Sequence, residues 1–284
     1  MKAILKDFLT FRFWRAFTLN AFALMGFVSS SIQALQIFYK NLPIPEGYPA
    51  LIVLVLISVV FGLYRAWPRP IEVEFESPKT KIRIIKGDLL SQSGHLVVGV
   101  GNTFDTLPPN IISNESLQGQ LLIKMYGGDA AELDRQLDYA LRAEVPIGTI
   151  EKEGKKQVYR NGTVATLKHT GRRIFLLAYT EFDTRNKAES NIDIIWSSLN
   201  SLWKEIATEG NGTEVFMPVI GRGLARLSNI LPAQDAIRLI VLSFMFSSRT
   251  KTVTEALTIV VKPSDYEKLD RMELQSFLLS LRPS

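Results

Sequence analysis

Two uncharged apolar stretches, Ala16–Tyr39 and Gly47–Tyr64, open this chain and restrict what its first quarter can become. They are about 24 and 18 residues long, and roughly 20 are needed to cross a bilayer as helix. The second is the cleaner: Ala50-Leu51-Ile52-Val53-Leu54-Val55-Leu56-Ile57 continues to Tyr64 with only Ser58 and Gly62 interrupting. The first carries Asn20, Ser29 to Ser31, Gln33 and Gln36, polar groups that inside a bilayer commonly face partner helices or water. A cleaved signal peptide would not be followed by a second span, so the order predicts a transmembrane hairpin. An amphipathic surface helix is the rival for the first segment alone. Phe13, Trp14, Phe38, Tyr39, Tyr48, Tyr64 and Trp67 stand at the ends of the two runs, where interfacial rings belong.

Charge sets the orientation. Up to Pro70 the cations are Lys2, Lys6, Arg12, Arg15, Lys40, Arg65 and Arg69, against Asp7 and Glu46. That surplus equals the net charge of the whole chain, +5. The other 26 basic and 26 acidic residues (33 less seven, 28 less two) cancel. Cations flank the outer ends of the two runs while the connecting loop is balanced, so both termini are expected in the cytosol. A balanced soluble part lacks the basic surplus of nucleic-acid binding, and no nucleic-acid partner is expected. Zero cysteines excludes disulfides, thiolate catalysis and cysteine zinc sites. His95 and His169, the only two histidines, are too few for a histidine metal site and are read as structural.

Residues 1–70 therefore form the hairpin with its linker, and residues 71–284 a second domain. Trp67-Pro68-Arg69-Pro70 is a stiff connection. Ile71, Val73 and Phe75 alternate with Glu72, Glu74 and Glu76, a half-buried strand. Lys81–Lys86 and His95–Gly101 follow as strands, and Val97-Val98 predicts burial on both faces. Helices are expected over Gln118–Tyr126, over Asp129–Ala143 with Asp129 as N-cap, over Asn191–Thr208 and over Pro232–Phe246. Val158–Leu167 and Arg173–Tyr179 read as strands paired around a Thr170-Gly171 turn, with further strands at Val215–Val219 and Leu257–Val261. Pro263 and Asp265 begin a short helix, followed by another over Glu273–Leu281. The alternation predicts a layered α/β fold with a mixed sheet.

Three segments at strand ends carry chemistry, the place where open α/β sheets bind ligands. In Lys86-Gly87-Asp88-Leu89 the glycine permits a sharp turn and the carboxylate can accept from an amino group. Gly-Asp alone is also a common turn. In Val98-Gly99-Val100-Gly101-Asn102 a buried strand ends in a polar amide beside a close backbone approach. In Pro218-Val219-Ile220-Gly221-Arg222-Gly223-Leu224 two glycines flank a cation directly after a strand, so backbone amides can cradle phosphate oxygens.

The order and spacing of these three segments, over about Lys79 to Leu269, resemble a macro domain, the ADP-ribose-binding fold. The resemblance implies that Asp88 binds the adenine amino group, that Leu89 is a further ligand-binding residue, that Asn102 lies near the distal ribose, and that Gly221, Arg222, Gly223 and Leu224 hold the diphosphate. Ser116, Gln118 and Gly119 take the place of the family's first glycine-rich loop. The family's valine-asparagine-alanine-alanine-asparagine strand end keeps here only Val98 and Asn102. Its polyglycine loop is replaced by Thr103-Phe104-Asp105-Thr106-Leu107-Pro108-Pro109. Hydrolytic members rely on that region to position water, so the departure favours binding over catalysis.

Over its full length, a two-helix hairpin joined to a divergent macro domain is similar to the membrane effectors of type II Thoeris anti-phage defence. The resemblance implies a bacterial inner-membrane protein with its macro domain in the cytosol. A TIR-domain enzyme would be its functional partner and an ADP-ribose conjugate, histidine-ADP-ribose, its signal. It also implies homo-oligomerisation on activation and disruption of the lipid bilayer, with no cofactor and no catalytic residue. The alternative is a membrane-tethered ADP-ribosyl hydrolase, for which Asp105 and Glu115 are the nearby candidate bases. A third reading is an anchor with a vestigial pocket.

Overall fold

The computed structural model describes residues 11–39, 47–67, 70–109, 111–221 and 231–282. The chain divides into two compact units, residues 1–69 with 271–273, and residues 70–270 with 274–284.

In the first unit, α1 (Phe11–Phe38) and α2 (Tyr48–Ala66) are long and apolar enough, by length and composition, to cross a membrane. At 1.5 Å per residue the shorter spans about 28 Å, close to a hydrocarbon core. α1 begins earlier than the uncharged run because Phe11 to Arg15 continue the helix. Phe22, Phe27, Ile37, Ile52, Leu56 and Val60 are exposed, a burden in water that hydrocarbon removes. Ser58, Gly62 and Ala66 recur every fourth residue of α2 and are buried. Gly62 explains the approach of the helices: a Cβ there would lie 3.0 Å from the Phe17 carbonyl oxygen and the Ala21 side chain of α1. Small residues permit such backbone contact where no hydrophobic drive exists between helices. Gly62→Leu should therefore wedge the pair apart at a cost of about 1–3 kcal/mol. Spin labels on α1 and α2 in nanodiscs should read a longer interhelical distance, and an unchanged distance would contradict this packing.

The second unit is a three-layer α/β fold. Its main sheet runs in the order β1 (Ile71–Glu76), β2 (Lys79–Lys86), β10 (Ala256–Val261), β9 (Val215–Pro218), β3 (His95–Gly101), β7 (Arg172–Phe182), β6 (Val164–His169). The five inner strands, β2 to β7 in that order, are parallel; β1 and β6 close the edges antiparallel. The short β8 (Ala188–Glu189) pairs with the end of β7. Period-two alternation divides each strand between two cores. Val97, Phe175, Leu177, Met217 and Ile259 face α5 (Ile192–Glu209) and α6 (Ala233–Thr250). Leu96, Val98, Val100, Ile174 and Leu176 face α3 (Leu117–Tyr126) and α4 (Ala130–Leu141). Burial on both sheet faces is why Val97-Val98 is a continuous apolar run. Trp203 is fully buried in the first core, and its indole N–H donates to Ser243 Oγ at 3.0 Å. The chain ends in α7 (Pro263–Tyr266) and α8 (Arg271–Ser280).

Local chemistry explains the boundaries. Asp129 caps α4 by accepting from Glu132 N at 3.0 Å, and Asn191 caps α5 by accepting from Ile194 N at 2.8 Å. Thr170 and Gly171 both take positive φ, as a tight hairpin turn between β6 and β7 requires. One expectation differs. The run Val158–Leu167 is two strands, β5 (Gln157–Val158) paired with β4 (Gly148–Thr149), and β6. Asn161-Gly162 breaks it, with Gly162 at φ 93 and its N–H donating to Ala178 O at 2.7 Å.

His95 is structural. Arg173 N donates to its Nδ1 at 3.1 Å, which leaves the proton on Nε2, 3.2 Å from Gly210 O. Burial pushes its pKa below the ordinary histidine value, opposed by the Gly210 bond and aided by the Arg173 charge. A depressed folded pKa means stability is complete above about pH 6.5 and is lost as pH falls toward the folded value, at up to about 1.4 kcal/mol per pH unit. His95→Gln should flatten that loss between pH 7 and 5 in thermal unfolding of the detergent-solubilised protein. An unchanged slope would exclude His95 as its source.

Candidate functional site

Because the five inner strands are parallel, their carboxyl ends share one edge, and a cavity of about 380 Å³ opens there. Every inner strand contributes: Gly87-Asp88 after β2, Val260-Val261 of β10, Pro218 to Ile220 at β9, Gly99 to Gly101 of β3, and Tyr179, Thr180 and Phe182 of β7. Four interstrand steps of about 4.8 Å separate the β2 end from the β7 end, so the groove is about 19 Å long.

At the β2 end, Asp88 caps a single 3₁₀ turn (Leu89–Ser91), accepting from Leu90 N at 3.1 Å. Its other carboxylate oxygen is 2.8 Å from Lys124 Nζ. The Lys124 hydrogen bond holds the carboxyl below its usual range, opposed by burial and helped by the Leu90 N–H and the Lys124 charge. Gly87 lines the wall, but not for conformational reasons. A Cβ there would make only ordinary contacts, the nearest 3.6 Å from the Gln92 side-chain nitrogen.

In the middle, the N-terminus of α3 faces the groove through Ser116, Leu117 and Gln118. Ser116 is its N-cap: Oγ accepts from Gly119 N at 3.0 Å and donates to Ser113 O at 2.6 Å. The first amides of a helix have no intrahelical partner and carry the positive end of its dipole, which suits an anion. Gly119 lies beneath the wall. A Cβ would fall 2.4 Å from Ser113 O and 2.9 Å from Asn114 Cα, so only glycine lets the 113–114 segment cross. Val219 and Ile220 also line the groove, followed by Gly221 at φ 81. Arg222, Gly223 and Leu224 lie outside the described residues.

At the β7 end the wall is Ile111, Ile112, Phe182 and Ala188. Gly99 and Gly101 make room for it. Added Cβ atoms would fall 2.2 Å from the Tyr179 ring and 2.0 Å from the Phe182 ring. A register shift between Val100 and Gly101 lets Gly101 pair with Thr180 and leaves Tyr179 bulged. Burial pushes the Tyr179 phenol up, against a hydrogen bond from the Gly221 backbone. Asn102 is buried but does not line the groove; its backbone joins Thr180 O (2.8 Å) and Tyr159 N (2.9 Å).

The groove thus brings together Asp88, Leu89, Ser116 and Gln118, with Asn102, Gly119 and Gly221 beside rather than in its lining. The sequence reading missed Tyr179, Thr180 and Phe182, although the alternating Gly99 and Gly101 of the neighbouring strand are their signal. It also missed Lys262 and Asp265, which line the groove after β10. Among the described residues no cluster of His, Cys, Asp or Glu could hold a metal. Asp105 is sequestered from the groove by an ion pair to Lys152, and Glu115 is exposed on its rim.

The family described as Thoeris protein ThsA, Macro domain, matches residues 82–262, more than half of the chain. The chain belongs to that family. It is 25% identical over 205 residues to the Thoeris protein ThsA of Bacillus amyloliquefaciens (strain Y2), covering 70% of this chain and 68% of that protein. Among solved structures it is similar to an Oceanobacillus iheyensis macrodomain with ADP, at TM-score 0.51 and 10% identity over 74% of this chain and 97% of the other. The same macrodomain with MES bound gives TM-score 0.50 and 12% identity, with 74% and 97% covered. At those identities the likeness is one of fold. The ThsA family macro domain is therefore the second unit here, carried behind two apolar helices.

Proposed function

We propose that this protein is a membrane-anchored sensor of anti-phage defence. Its macro domain binds an ADP-ribose-derived nucleotide, and binding drives self-assembly of the hairpins and disruption of the bilayer. The observation that carries this reading is the groove of about 19 Å across five parallel strand ends. It has a carboxylate at one end (Asp88), a helix N-terminus at the centre and an apolar wall at the other. An extended dinucleotide-like molecule has matching parts: an amino-bearing base, a central anion and a distal substituent. The structural relative holding ADP supports the same choice. The α1 and α2 spans supply the membrane link, with both termini on the cytosolic side by their flanking charge. A TIR-domain enzyme making histidine-ADP-ribose is the source of signal that the family membership suggests.

Hydrolysis is less well supported. It needs a water-positioning base at the distal end. Asp105 is 2% exposed and paired, which leaves the rim residue Glu115. The experiment is calorimetric titration of the full-length protein in detergent with ADP-ribose, with the ligand recovered and assayed for cleavage. Saturable binding without product supports the sensor. Absence of binding overturns it, and turnover abolished by Glu115→Gln would establish the hydrolase.

A further inference from the structure

Behind the β7 end of the groove lies a buried charge pair that the binding reading does not use. Lys152 Nζ is 2.7 Å from Asp105 Oδ2, and the two side chains are 0% and 2% exposed. The ion pairs Arg83–Glu214, Lys124–Asp88 and Arg173–Glu209 keep between 21% and 48% of their side chains in solvent. Each member of the buried pair makes further hydrogen bonds. Asp105 also accepts from Thr103 Oγ1 and from Lys155 N at 2.7 Å, and Lys152 donates to Glu153 O at 3.0 Å. Replacing such a pair by apolar residues is often neutral or stabilising, so stability alone is a weak reason for keeping it.

Its position offers another reason. Lys152 Nζ sits 5.4 Å from the centroid of the Phe182 ring, within cation–π range. Gly154, at φ 91, presses on both neighbours: a Cβ there would be 2.3 Å from Asp105 Oδ1 and 2.4 Å from Ile111 Cδ1. Gln118, in the central wall, donates through Nε2 to Asp105 O. Phe182, Ile111 and Gln118 all line the groove, while Asp105 and Lys152 do not. One ionic clasp between segments 47 residues apart therefore stands behind three wall residues, through the Lys152 ammonium at Phe182, the Asp105 backbone carbonyl at Gln118 and the adjoining Gly154 at Ile111.

We propose that the Lys152–Asp105 pair is a positioning element that sets the far wall of the groove, and with it selectivity for nucleotides extending beyond the diphosphate. The inference rests on the nucleotide-binding reading, with the base at Asp88. ADP would then occupy the β2 end and centre, and only the added ribose of ADP-ribose would reach Phe182 and Ile111. A merely structural pair would affect both ligands alike.

The test is calorimetry of the full-length protein in detergent with ADP and with ADP-ribose, for wild type, Lys152→Met, and the double variant Asp105→Asn with Lys152→Gln. Lys152→Met should weaken ADP-ribose about tenfold or more and leave ADP within about twofold. If orphaned Asp105 prevents folding of Lys152→Met, the double variant carries the test, because it removes both charges and keeps amide hydrogen bonding. It should show the same collapse of the ADP-ribose to ADP ratio. Parallel loss of both ligands, or no change in the ratio, overturns the proposal. Wild-type protein that binds neither nucleotide overturns the binding reading itself, and this inference with it.

Discussion

Asp88→Ala should weaken ADP-ribose binding roughly ten- to a hundredfold, the loss of a charged acceptor worth about 1.5–3 kcal/mol. Asp88 stands at the β2 end of the groove with one oxygen on Leu90 N and the other on Lys124 Nζ. A carboxylate has about four lone-pair sites, so an exocyclic amine can be accepted without evicting either partner. Because Lys124 holds the carboxyl below its usual range, the acceptor stays ionised well into acid, and affinity should not fall between pH 7 and 5 on its account. Lys124→Met separates two possibilities. If the ammonium only competes for Asp88, affinity holds or improves; if it contacts the ligand, affinity falls as it does for Asp88→Ala. Wild-type affinity in Asp88→Ala would place the base elsewhere.

Much of this fold is written locally, and much of the site is not. Asp129 and Asn191 cap their helices through bonds three residues long, so a short window of sequence suffices to find them. The apolar run at Val97-Val98 reports burial on two faces without reference to any partner. The error at Val158–Leu167 is also local: Asn161-Gly162 is a turn dipeptide inside the run, and the strand reading passes over it. The far wall of the groove depends on longer-range geometry. Gly99 and Gly101 announce that something comes close, but what comes close is fixed by the pairing of β3 with β7 and by the bulge at Tyr179. A shift of one residue would exchange the faces. Asp105 and Lys152 meet only after the sheet and the 150–156 segment are built, and no spacing rule connects them. Gly87 is the converse case: its place at the strand end suggests a sharp turn that needs glycine, and its backbone takes no positive φ there.

Coupling between the two units should give an all-or-none result. Liposomes carrying the full-length protein should retain dye without ligand and release it when an ADP-ribose conjugate is added to the side bearing the macro domain. A protein starting at Ile71 should bind the same ligand and release nothing, because ligand shifts an equilibrium only between states the molecule can reach. The assembled membrane state requires α1 and α2. Asp88→Ala in the full-length protein should insert normally and release measurably less dye at ligand concentrations that just saturate wild type. To move an assembly equilibrium from about 1:99 to 99:1 the ligand must favour the assembled form by about 5.5 kcal/mol, so a variant losing about 1.5–3 kcal/mol of that preference stops at roughly 90% to 40% assembled. Leakage that is independent of ligand would mean that the hairpin acts alone. Ligand cleavage without leakage would reject sensing and leave a tethered hydrolase as the function of this fold.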